Sequence, residues 1–65
     1  MNWDQIEGRW SDIQGRVRET FGKLTDDDHQ QIAGKRQRLE GKLQERYGWA
    51  KEKIDEQIDA FLSAL

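Results

Sequence analysis

The sequence predicts an all-α fold, a small single domain over residues 1–65 built as a bundle of three to four helices. Three observations carry this. Apolar residues recur at steps of three and four along most of the chain. No run of alternating apolar and polar residues marks a strand. Proline is absent, so helix breaks fall to the six glycines.

The first helix is expected over about 3–21. Trp3, Ile6, Trp10, Ile13, Val17, Phe21 and Leu24 form one narrow apolar stripe. Asn2 suits the N-cap, and Asp4 and Glu7 suit the positive end of the helix dipole. Asp12–Arg16 and Glu19–Lys23 have acid-first i,i+4 spacing. Gly22 is placed to end the helix as a left-handed residue. Thr25 is then a fresh N-cap, with Asp26, Asp27 and Asp28 in the first turn. The stripe resumes at Ile32, Leu39, Leu43 and Tyr47, and residues 26–47 read as one helix or as two. Gly48 is a second C-cap candidate. A last helix over about 49–64 buries Ile54, Ile58, Phe61 and Leu62.

The glycines carry an internal repeat. They fall at 8, 15, 22 and at 34, 41, 48, and a shift of 26 residues lays segment 8–22 on segment 34–48. Gly8/Gly34, Gly15/Gly41, Glu19/Glu45 and Gly22/Gly48 are identical in that register, and Ile6/Ile32, Ile13/Leu39, Val17/Leu43 and Phe21/Tyr47 keep their character. Gly8 and Gly15 lie on the back of the helix, away from the stripe. Each interior glycine costs about 0.8–1 kcal/mol relative to alanine. The glycines therefore admit a close backbone, break a helix, or leave the domain soft.

WDQIEGRW, GRVRETFGKLTDDD and IAGKRQRLEGKLQERYG resemble the CsbD-like family of small bacterial general-stress proteins. The resemblance covers roughly residues 1–50, and IDEQIDAFLSAL carries no matching motif. It implies two crossed helical hairpins, which favours a break near Gly34 and helices over about 26–33 and 35–47. It also implies a cytoplasmic stress role with no catalytic residue and no cofactor.

Composition excludes several functions. Without cysteine there is no disulfide framework or thiolate metal site. Leu, Ile, Val and Phe are 13 of 65 residues, at the border of disorder, but a net charge of −2 adds little self-repulsion. No apolar run is long enough to span a membrane and the N-terminus lacks signal-peptide character, so a cytoplasmic location is expected. A pI near 5.3 argues against strong nonspecific nucleic-acid binding.

Candidate sites are few. Asp26, Asp27, Asp28 and His29 have metal-ligand chemistry, but consecutive residues at a helix start diverge, so capping is the expected role and His29 an exposed first-turn residue. Asp55/Asp59 and Glu52/Glu56 lie on a helix in a chain too small for a deep pocket, and Ser11 and Ser63 lack a base. A non-enzyme is expected. Lys35, Arg38, Lys42 and Arg46 fall within about 80° of one another on a helix, a ridge able to contact phosphates or to lie as a solvated face. Trp3, Trp10, Phe21, Leu39, Leu43, Tyr47, Ile54, Ile58 and Phe61 are the core or interface set, with Trp3 and Trp10 expected to supply much of the buried area. The terminal Phe61–Leu65 stretch closes the bundle or meets a second copy in a homodimer. Its acidic polar face disfavours a membrane.

Overall fold

A computed structural model describes residues 2–65. It is helical, with no strand among the described residues. There are five helices where three to four were expected: α1 (Trp3–Gly8), α2 (Trp10–Thr20), α3 (Asp26–Ile32), α4 (Arg36–Tyr47) and α5 (Lys51–Ala64).

The extra helix comes from a break at Arg9, whose φ of −118° and ψ of 27° leave the helical region. The Arg9 N–H still bonds to Gln5 O at 3.1 Å and Ile6 O at 3.2 Å, and its carbonyl starts α2 by accepting from Ile13 at 3.0 Å. The flanking indoles are held by different neighbours. Trp3 Nε1 donates to Gly34 O at 2.8 Å, whereas the Trp10 ring lies 6.5 Å from the His29 ring. A bend between them lets each half of the stripe follow its own contact.

The caps are mostly where the sequence places them. Asn2 accepts from Gln5 N–H at 3.0 Å and Gln5 Oε1 accepts from Asn2 N–H at 3.2 Å. Thr25 and Asp28 form the same reciprocal box at the start of α3. Gly48 ends α4 in the left-handed region at φ +70°. Gly22 departs from expectation. Helix α2 ends earlier, at Thr20, with the buried Phe21 as its non-helical cap, and Gly22 stays out of the left-handed region. Lys23 thereby lies off the helix and stands over the Tyr47 ring, so Glu19 and Lys23 lose i,i+4 geometry. Trp49 precedes α5, because it stacks on Tyr47 with ring centroids 4.2 Å apart.

The turn from α3 to α4 uses two left-handed residues, Ala33 at φ 48° and Gly34 at φ 83°. Gly34 is buried, and a Cβ there would meet the Glu7 Cα at 3.3 Å. This glycine both breaks the helix and admits a close backbone. Gly8, Gly15 and Gly41 have nothing within 4 Å of an added Cβ, so no close packing explains them.

The core joins Ile6, Ile13, Val17, Phe21 and Leu24 to Ile32, Leu39, Leu43, Ile54, Ile58 and Phe61. Helix α4 packs against both α3 and α5, and α1 against α2. The expected weight on tryptophan is corrected: Trp3, Trp10 and Trp49 are half-buried at the rim, and the largest fully buried side chain is Phe21. Trp3 shows why an amphipathic indole suits a rim, its ring packing on the core while its N–H reaches the Gly34 carbonyl. Leu65, the end of the terminal apolar stretch, is 41% exposed because α5 stops before it.

Candidate functional site

The polar chemistry concentrates where α3 meets α4. Asp28 is the third residue of α3, 1% exposed, and its position follows from the Thr25 cap. One helical turn places its carboxylate against α4. There Arg46 grips both oxygens, Nε donating to Oδ2 at 2.8 Å and a terminal nitrogen to Oδ1 at 3.1 Å. Lys42 Nζ stands 3.5 Å from Oδ1, and the Thr25 N–H donates to Oδ2 at 3.0 Å. The Arg46 hydrogen bonds hold the Asp28 carboxyl well below the usual carboxylate range, with help from the Thr25 N–H and against the opposing effect of burial. The same bonds raise the Arg46 guanidinium.

His29, the next residue, is buried at 0% exposure, not exposed as the sequence suggested. A histidine one residue past a core-facing aspartate on so short a helix turns into the α2 face, where Trp10 covers it with ring planes tilted at 45°. Neither ring nitrogen has a hydrogen-bond partner, nor has Trp10 Nε1. Burial lowers the imidazole pKa, the Arg18 charge adds to the lowering, and Asp26 and Asp28 oppose it.

The four acidic-start residues therefore go separate ways. Asp28 turns to α4, His29 to the core, Asp26 to Arg18, and Asp27 to solvent. Among the described residues no three His, Asp or Glu side chains converge as a metal site.

The basic ridge is placed on one helix start and face but is engaged internally. Lys35 pairs with Glu7 of α1. Arg38 donates to the Gln31 carbonyl at 3.2 Å. Lys42 meets Asp28 and, at 3.3 Å, Glu45, while Arg46 clasps Asp28. Arg36, outside the expected set, bonds to Glu40 at 3.3 Å and reaches Asp59 of α5 at 3.6 Å. Sequence reasoning missed Asp28 and Arg46 as a pair. Their separation of 18 residues has no local signature.

A second cluster stands at the same C-terminal end of α4, on the residue after Arg46. Tyr47 and Trp49 stack, Phe21 meets Trp49 edge-on at 6.5 Å, and Lys23 and Lys53 stand over the Tyr47 and Trp49 rings at 5.1 and 5.8 Å. The Tyr47 hydroxyl accepts from the Lys23 N–H at 3.2 Å. On either side of Gly41 the surface opens into a groove, one lined by Gln37, Gln44 and Lys51, the other by Gln31, Arg38 and Lys42.

A model of the CsbD-like family matches residues 4–56. The chain belongs to the CsbD-like family. Full-length relatives agree. A UPF0337 protein of Rhodopseudomonas palustris is 49% identical over 65 residues, all of this chain and 98% of that one. One of Pseudomonas aeruginosa is 46% identical over all of both chains. One of Rhodopirellula baltica is 52% identical over 64 residues, 98% of this chain and 94% of the relative. No solved structure matches the chain. The CsbD-like match contains the Asp28–Arg46 clasp, His29 and the Gly34 turn. It runs into α5, further than the motifs in the sequence reach, and the relatives extend the similarity to the final residues.

Proposed function

We propose that this CsbD-like protein is a non-catalytic, cytoplasmic component of the bacterial general stress response, acting as a hydrophilic protective or interaction module. One observation carries the reading. Charged residues are 37% of the chain, and Leu65 is the one large hydrophobic side chain exposed among the described residues. Such a surface stays hydrated and resists self-association at high abundance. The absence of any helix long and apolar enough to cross a membrane, among the described residues, is consistent with it. The test is to dry a labile enzyme with this protein or with an equal mass of albumin. Greater recovered activity with this protein is expected, and equal recovery would end the protective mechanism.

A nucleic-acid-associated module using the ridge is the second reading. Arg38 favours it, because its guanidinium meets no carboxylate among the described residues. Carboxylates on Lys35, Lys42 and Arg46 dilute the ridge's field, so a mobility-shift assay at low salt is expected to show no complex. An oligomeric adaptor is a third reading, and it would rest on Leu65 and the half-buried Leu62. The fold itself we read as two related units, 8–22 and 34–48, packed as crossed hairpins. Burial of both members of Ile6/Ile32, Ile13/Leu39 and Val17/Leu43 supports this, while Phe21 is buried and its counterpart Tyr47 half-buried.

A further inference from the structure

We propose that His29 is an acid-operated release for helix α3, protonation of its ring detaching α3 from the Trp10 face of α2. The inference is independent of the protective role. It starts from the fact that a neutral imidazole carries one N–H and one acceptor nitrogen, whereas a protonated ring carries two donors and a charge. At His29 the side chain is wholly buried and neither nitrogen has a partner. The adjacent Trp10 indole offers an N–H, a donor, which cannot receive a proton from the ring.

The charged groups around the ring cannot rescue its protonated form. On its own helix, Asp28 has both oxygens occupied by Arg46, Lys42 and the Thr25 N–H. Asp26, also on α3, is paired with Arg18 of α2. Arg18 is itself a cation whose field opposes a second positive charge at His29. Helix α4 contributes Lys42 and Arg46, both positive and both directed at Asp28. A charged ring is relieved by reaching water, and α3 is the element most able to carry it there. It is seven residues long and ends in two consecutive left-handed residues.

The sign follows from proton linkage. The folded protein holds His29 below its ordinary pKa of about 6.5, so the unfolded or opened state binds the proton more readily. Stability is whole above that value and falls as pH drops through it. The folding equilibrium constant is expected to decrease by up to about thirty-fold between pH 7.5 and 5.0, about tenfold for each pH unit below 6.5.

His29 is the chain's single histidine, so its ring resonances titrate without overlap in NMR. The test follows that titration together with amide-exchange protection of α3 and α5 at pH 7.5 and 5.0, in the natural chain and in His29→Phe. A ring midpoint below 6.5 is expected, with α3 less protected than α5 at both pH values, α3 protection falling as pH drops, and the pH effect absent from the variant. A midpoint at or above 6.5, unchanged α3 protection, or equal protection of the two helices at pH 5.0 would overturn the release. Should His29→Phe not fold, the titration and exchange in the natural chain decide the matter alone.

Discussion

Two junctions share one local sequence signal and adopt different backbones. Ile6-Glu7-Gly8-Arg9 joins α1 to α2, and Ile32-Ala33-Gly34-Lys35 joins α3 to α4. At the first, Gly8 stays helical and the chain bends at one residue, Arg9. At the second, Ala33 and Gly34 both turn left-handed and the helix ends. The second junction also rests on the first. Gly34 sits against the Glu7 backbone, its carbonyl accepts from Trp3, and Lys35 pairs with Glu7. Glycine licenses either geometry. The choice comes from what covers the site.

The sharpest way to break this contrast is alanine at each glycine. Gly34→Ala is expected to cost about 2–4 kcal/mol, from left-handed strain plus the clash with Glu7. Gly8→Ala, in a helix with open space around it, is expected to gain up to about 1 kcal/mol. Urea denaturation of the two variants measures both, and equal effects would erase the distinction.

Next come the capping anchors at the starts of α1 and α3, the N-cap Asn2 and Asp28, the third residue of α3. Asn2→Ala removes a surface cap at about 1 kcal/mol. Asp28→Ala removes one half of the α3 capping box and a buried carboxylate clasp, at about 1–3 kcal/mol. Arg46 is 39% exposed at its side chain, so solvent takes up part of the loss. Asp28 has a depressed folded pKa, so its contribution is present above about pH 4 and is lost as pH falls below that. An acid titration of stability should be shallower in Asp28→Asn than in the natural chain.

Ala33 and its counterpart Glu7 should respond to glycine with opposite signs. Ala33→Gly relieves a left-handed alanine and is expected to gain about 1 kcal/mol, while Glu7→Gly weakens α1 by a similar amount. The smallest effects belong to Gly15 and Gly41, mid-helix and open in both halves. Alanine at either should raise the melting temperature, each by about 0.8–1 kcal/mol of stability. A loss at Gly41 alone would break the equivalence of the two halves.

Much of the fold was legible because its signals are local. The apolar spacing located the core residues from Ile6 to Phe61, and Thr25, Asn2 and Gly48 act as the caps their side chains suit. The break at Arg9 and the early end of α2 were not legible, since both answer to tertiary contacts at Trp3, Trp10 and Phe21. The ridge residues were found as a set, but their charges could not be assigned to partners. Glu7 is 28 residues from Lys35, and Asp28 is 18 from Arg46. His29 was misplaced because a short polar run at a helix start reads as solvent-facing, and only the packing of α3 between α2 and α4 turns it inward.

By itself the sequence determined the helical class, the repeat, most caps and the apolar stripe, because periodicity and side-chain-to-backbone bonding act over a few residues. Tertiary structure decided which glycine becomes a turn, which charges neutralise one another, and that a lone histidine lies dry beneath a tryptophan. Those outcomes depend on groups brought together from distant parts of the chain, where burial and pairing set the energies and local spacing does not.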